Sequence, residues 1–341
     1  MKRLDVILLL VFAAVVILSN GRTPGITDKS IVHAIGVDKG GEGMSVTLQI
    51  FKPEAAGADT PVDISKANFK TRTAEGKDMA DCLHKLTGKA GGELFLGHMQ
   101  LLVIGEGVRF SDIGDLVSPL RDDKSIYPGL YLACAENARD IVSFPIKENA
   151  VTAENYRRII ENAAAGGQSF TARLIDVDNC LSVCGSLAMP YLELSGSKES
   201  RCLEVTGSRI LGRQGFYDDI LTAKNCSLLT LLCESFAPRT VTIDGTQLHL
   251  SRVSRSINFE QREGLVCHIA LTLTPQGNGQ DLERLSQPLS AELLKLLESC
   301  SRKDPARLFE QLRLNNPTLF SQYRNNLGEL YESMRFEVEI K

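Results

Sequence analysis

The chain has 341 residues, 43% hydrophobic and 23% charged, which is ordinary for globular protein and long enough for two or three domains of roughly 100–200 residues each. Its 38 basic and 42 acidic residues nearly cancel, leaving a net charge of −4, a balance that argues against a nucleic-acid binder. Tryptophan is absent and aromatics are 6%, so a stacking platform for sugars or bases would rest on a few Tyr and Phe side chains.

Lys2 and Arg3 precede an unbroken apolar run over residues 6–18, followed by the small or polar Ser19, Asn20 and Gly21. A positive start, a short apolar stretch and a small-residue exit are the parts of an export signal. The run as a helix reaches about 20 Å against a hydrocarbon core of roughly 30 Å. Residues 1–21 therefore read as a signal peptide or a weak membrane anchor, with a linker at Thr23, Pro24 and Gly25.

Residues 31–37 and 44–52 are β-like and flank Asp38-Lys39-Gly40-Gly41-Glu42-Gly43, which reads as a hairpin. The glycines there do not make a phosphate loop, because no helix follows and no Lys-Ser/Thr pair closes it. Residues 55–67 are small and polar, a loop, and 68–73 form a further strand. Helices are expected over 77–86, 110–120, 152–165 and 172–184, with strands at 99–104 and 131–135. Pro190 sits in another strand-like run. The polar segment 195–200 is expected to separate an N-terminal region, 26–195, from a C-terminal region, 201–341. Beyond it come a strand over 202–211, a helix over 221–233 with Thr222 as a possible cap, and strands at 246–259 and 265–274. Leu289, Leu293, Leu296 and Leu297 mark an amphipathic helix. Residues 308–314 are helical up to Pro317, and alternating Phe336, Val338 and Ile340 close the chain as a half-buried strand. Irregular alternation of strands and helices, with hairpins, gives an α+β fold with mixed or antiparallel sheets flanked by helices.

Signatures of catalysis are missing: there is no G-x-S-x-G, no H-E-x-x-H and no Walker loop. Asp218-Asp219 and Asp122-Asp123 could be acid–base pairs, but adjacent carboxylates beside helices read as turn and cap residues. His98 in Gly97-His98-Met99-Gln100 is the most provocative histidine, yet it lacks an acidic or cysteine partner at ligand spacing and reads as a structural residue bonded to a neighbouring turn. Cys82 and His84 would lie about 160° apart on a helix, and Cys267 and His268 on opposite strand faces. Nine cysteines are scattered, none in CxxC, and read as buried thiols before disulfides or metal ligands. No catalytic, cofactor-binding or metal residue is assigned, and no cofactor is expected.

Several segments resemble a known family. Ile31-Val32-His33-Ala34-Ile35-Gly36-Val37-Asp38 followed by Val46-Thr47-Leu48-Gln49-Ile50-Phe51-Lys52-Pro53 resembles the opening of the Ger(x)C family. Gly97-His98-Met99-Gln100-Leu101-Leu102-Val103-Ile104-Gly105-Glu106 is similar to its most specific internal motif. Arg121, Ala138-Arg139-Asp140-Ile141, Met189-Pro190-Tyr191-Leu192, Gly207-Ser208 and Arg302-Lys303-Asp304-Pro305 follow in the family's order, as does the final strand. The resemblance implies a non-catalytic C subunit of a spore nutrient-germinant receptor, of α+β build in three domains. It also implies attachment to the outer face of the spore inner membrane and integral-membrane A- and B-type partner subunits. The chain departs from the family at the lipid-accepting cysteine: Asn20 and Gly21 stand there and the first cysteine is Cys82, so attachment is expected without a diacylglyceryl group. An exported small-ligand-binding protein and an exported hydrolase are the alternatives.

Overall fold

The computed structural model describes residues 29–41, 43–52, 68–146, 152–180, 183, 186–197, 200–212, 215–233, 239–276, 280–300 and 303–341. The signal or anchor expected at 1–21, the loop at 55–67, Leu181 and Cys184 lie outside them.

The larger sheet holds nine strands. β1 (Lys29–Lys39), β2 (Met44–Phe51) and β3 (Phe69–Gly76) form an antiparallel meander at one end. β4 (Glu93–Phe95) pairs with the first residues of β1, while β5 (Leu101–Gly105) and β6 (Tyr131–Ala135) follow β1 in parallel. β7 (Ser186–Ser195) joins β6 in parallel, and β8 (Cys202–Gly212) and β9 (Gly215–Thr222) complete the sheet, each antiparallel to the strand before it. Every residue of β5 and β6 is buried. That is the pattern of strands covered on both faces, which parallel pairing with helical crossovers demands.

The coverage is supplied by helices. α1 (Met79–Ala90) and α2 (Phe110–Asp122) lie on the face carrying Val37, Leu48, Leu102 and Ile104. Met79, Cys82 and Leu86 recur on the buried side of α1; Asp78 caps its start by accepting from the Asp81 N–H, and Gly91, at φ 84°, ends it. α3 (Ala138–Ser143) and α4 (Thr152–Ala165) cover the other face, with Ile141, Val142, Tyr156 and Ile160 packed on Leu101, Val103 and Ala133. α5 (Leu174–Asn179) returns to the first face through Leu174 and Val177. Each large side chain so buried contributes roughly 1.5–3 kcal/mol.

The second sheet has the order β10 (Arg239–Ile243), β11 (Thr246–Gln261), β12 (Leu265–Pro275), β13 (Arg335–Ile340). Val253, Ile257, Ile269 and Leu271 face a helical layer: α6 (Ala223–Leu229), α7 (Gln280–Ser299), α8 (Leu308–Asn315), α9 (Pro317–Tyr323) and α10 (Leu327–Ser333). The opposite face carries Thr240, Thr242, Ser254, Ser256, Asn258 and Thr272, and is open.

The architecture is α+β, with mixed and antiparallel sheets flanked by helices. At the segment expected to separate the two regions, Ser195 pairs with Cys202 across a turn at Gly196, so β7 and β8 are paired strands of the first sheet. The change of sheet comes after β9. There Val183, Ala188, Ile210 and Leu221 share one apolar core with β11, β12 and α7, so the two sheets meet without a polar gap. The helix expected over 172–184 is described as regular only over α5. Asp218-Asp219 lie in β9 rather than in a turn, and the cap of α6 is Thr222, which accepts from the Asn225 N–H.

Candidate functional site

The segments singled out in sequence converge at the carboxyl ends of β1, β5 and β6. Gly36 and Asp38 end β1, Gly105 ends β5 with Glu106 just beyond, and α3 begins at Ala138 after β6. In open sheets with parallel strands this edge is the usual place for a ligand, held partly by helix N-termini. Here a side chain of the protein fills the position. The Asp38 carboxylate accepts from the N–H groups of Ala138 at 2.7 Å and Arg139 at 2.9 Å, while Asn137 accepts from Asp140 at 3.0 Å. The first three donors of α3 are thus satisfied internally. Burial pushes the Asp38 carboxyl above its usual range, opposed by those two N–H groups.

Two glycines make the plug possible. A Cβ on Gly36 would stand 2.9 Å from the Ala138 carbonyl oxygen and 3.1 Å from Val142, and one on Gly105 would stand 2.2 Å from Asp38 Oδ1. Only a residue without a side chain lets α3 and the Asp38 carboxylate come this close to the sheet.

A second cluster stands beside it. Arg209, on β8, is buried and ion-paired with Glu106, and Tyr191 Oη donates to the same Glu106 oxygen at 2.8 Å. The guanidinium also lies 5.7 Å from the centre of the Tyr191 ring. This cluster ties β5 to β7 and β8. Glu106 and Tyr191 belong to the resembling segments; Arg209 went unassigned, although an arginine inside the apolar run Ile210-Leu211 requires a buried partner.

A third cluster seals the meeting of the two sheets. Asp304 is buried and accepts from the N–H groups of Leu308 at 2.7 Å and Phe309 at 2.8 Å, capping α8; its own N–H donates to Ser186 Oγ at 3.2 Å. Burial pushes its carboxyl up to about 6. Arg307, at φ 55°, pairs with Asp176 of α5 at 3.1 Å, and Asn179 Nδ2 donates to Glu310 at 2.5 Å.

The remaining candidates separate. His98 is exposed, its ring edge-on to Phe95 at 5.5 Å; its carbonyl accepts from the Gln100 side chain. Near it, His33 is half-buried against Phe51 and lowered to about 4 by burial, then by His98, with Glu154 opposing. Asp123 makes a turn with Ser125. Cys82 is buried and His84 exposed, as helical geometry requires. Cys267 is buried while His268 lies on the open face between Glu260 and Glu337. Among the described residues no group of three His, Cys, Asp or Glu side chains is placed to hold a metal ion, and eight cysteines are in no disulfide. A cleft of about 250 Å³ is lined by Phe170, Arg255 and Leu314 with Arg307 of the third cluster, one of about 230 Å³ by Asn137, Asp140 and Tyr191 of the first two, and one of about 260 Å³ by Lys39, Lys77 and Arg109. They are below the roughly 300–1,000 Å³ of ordinary ligand sites.

The family model described as the spore germination protein N-terminal domain matches residues 24–194, half of the chain and all three strands whose ends build the first cluster. The chain belongs to the Ger(x)C family of spore germination proteins. A solved structure titled "Crystal Structure of the GerBC protein" is similar over 90% of this chain and 95% of its own, with a TM-score of 0.50 and 14% identity. At that identity the likeness concerns the fold, and it carries the Ger(x)C architecture past residue 194 into the second sheet. No curated protein sequence matches the chain. For a Ger(x)C protein the three clusters have a common meaning: the motif residues are committed to holding strands and helices to one another.

Proposed function

We propose that this chain is a non-catalytic, membrane-associated C subunit of a spore germinant receptor, working with integral-membrane A- and B-type subunits in nutrient-triggered germination. Its place is the outer face of the spore inner membrane. Support comes from the family match and from a fold likeness that extends over nearly the whole chain. The observation that carries the non-catalytic part is the Asp38 plug. The helix N-terminus at the carboxyl edge of the parallel strands, where a phosphate or carboxylate ligand would sit, is occupied by the protein's own carboxylate. Glu106 and Asp304 are likewise tied to Arg209 and to backbone donors. Such groups make a rigid scaffold, suited to holding partner subunits rather than to turning over a substrate.

The test is germination. Spores lacking the chain should lose their response to the nutrient that acts through this receptor, read as the fall in absorbance of the suspension. Their response to a non-nutrient trigger should remain, and the full chain supplied in trans should restore the nutrient response. Unchanged germination with every nutrient tried would contradict the proposal.

A further inference from the structure

Positive charge is not spread evenly over this acidic chain. It gathers where the described body begins. Ser30 on β1 donates to the Ala90 carbonyl at the end of α1, and so does the Lys70 ammonium from β3, at 3.3 and 3.1 Å. Arg72 Nε donates to the next carbonyl back, that of Lys89, at 3.4 Å. Lys89 Nζ in turn reaches the Thr73 carbonyl at 3.1 Å, and Lys29 Nζ lies 5.1 Å from the centre of the Phe95 ring. Lys52 lies just past β2, bonded through its N–H to the Asn68 carbonyl. The first residue of β1, the C-terminus of α1 and the adjoining ends of β2 and β3 therefore share one end of the molecule.

Five cations, Lys29, Lys52, Lys70, Arg72 and Lys89, stand there, and none forms an ion pair among the described residues. Among the described residues, strand pairing brings the Glu93 carboxylate to the same end, in register with Lys29. Two ordinary explanations cover part of this. Charges on the edge strand β3 discourage sheet-to-sheet pairing, and cations near the C-terminus of α1 complement its dipole. Neither accounts for Lys29 on β1 and Lys52 just past β2 at the same end. The apolar run that ends at Leu18 is joined to Lys29 by a stretch that spans at most about 40 Å. The charged end is thus the end tied to the chain's one long apolar segment.

We infer that this end lies against an anionic lipid surface, with Lys29, Lys52, Lys70, Arg72 and Lys89 facing the phosphate headgroups. The inference rests on the membrane association proposed above and adds the orientation: the α1–β3 end toward the bilayer. Each cation close to such a surface contributes roughly a fivefold increase in binding, lost within a Debye length or by added salt.

The full chain should be tested by co-sedimentation with phosphatidylcholine vesicles, with and without phosphatidylglycerol. The apolar segment gives a baseline on both, and the cationic end should add binding only to the anionic vesicles. A triple variant, Lys70→Gln, Arg72→Gln and Lys89→Gln, keeps donors for the carbonyls while removing charge. It should bind anionic vesicles about a hundredfold less than the native chain and neutral vesicles equally. High salt should abolish the difference. Should that variant melt at a lower temperature, Lys29→Gln alone, which breaks no hydrogen bond among the described residues, is expected to lose about fivefold. Equal binding by native chain and variants, or a loss that salt does not affect, would overturn the orientation. So would a triple variant that binds vesicles normally but no longer associates with its partner subunits, since the end would then face an acidic protein. None of these outcomes bears on germination by a deletion strain, so the receptor reading stands or falls separately.

Discussion

Asp304 is the residue whose ionisation costs the fold most visibly. Its carboxyl is raised to about 6 by burial, so from its ordinary value near 3.8 up to 6 the folded chain keeps a proton that the unfolded chain releases. Stability from this group is greatest below the unfolded value and declines as pH rises through 6, by roughly 3 kcal/mol in all. Asp304→Asn cannot ionise and retains one acceptor for the α8 donors. Its urea midpoint should fall less steeply than that of the native chain between about pH 4 and pH 7, and parallel curves would show that the site does not titrate. Glu106 poses the opposite case. Glu106→Gln leaves the Arg209 guanidinium buried without its counter-charge and should cost about 3 kcal/mol in urea unfolding. Adding Arg209→Met should recover part of that loss, because removing the guanidinium leaves no stranded charge. Thiols give a third check. Cys202 is exposed, whereas Cys82, Cys134, Cys180, Cys226, Cys267 and Cys300 are buried, and burial pushes the Cys226 and Cys300 thiols up to about 11 and 12. A thiol reagent on the native chain should modify Cys202 first and those six only on unfolding; fast loss of a buried one would contradict this packing.

Among the elements, glycine separates close packing from mere propensity. Gly36→Ala would force α3 off β1 at the Ala138 carbonyl and loosen Asp38's hold, an expected cost of about 2 kcal/mol with faster amide exchange at Ala138 and Arg139. Gly88, exposed on α1 with nothing within 4 Å of an added Cβ, should behave the other way. Gly88→Ala is expected to stabilise by about 0.5–1 kcal/mol. If both substitutions shifted stability alike, the close approach at Gly36 would not be the cause. Elements with a strong local pattern were legible in sequence: β6 and α4 fall at their expected residues, and the long strands β11 and β12 lie where they are expected. α3 was not. Six residues carry too little periodicity to announce a helix, and its start is secured by Asp38, a hundred positions away in sequence. β4 and β10 are short, and β9 was hidden by its polar Tyr217-Asp218-Asp219. The pairing of β7 with β8 across Gly196 was not legible either, because a polar hairpin turn and a polar linker have the same composition.

At the scale of the molecule, two sheets share one apolar seam, and three polar clusters hold the strand ends, the β5–β7–β8 crossing and the α5–α8 junction. The residues of the first cluster were visible in sequence as family-like segments, but their convergence was not, because Gly36, Gly105 and Ala138 meet only through the parallel order of β1, β5 and β6. A scaffold of this kind is expected to act by assembly. The most direct measurement is therefore purification of the tagged full chain from detergent-solubilised spore membranes, with its companions identified by mass spectrometry. The expected result is co-purification of two integral-membrane subunits in constant ratio, undiminished by Cys202→Ser, which leaves all three clusters intact, and reduced by Glu106→Gln. Recovery of the chain alone from membranes that contain both subunits would contradict its role as a receptor subunit.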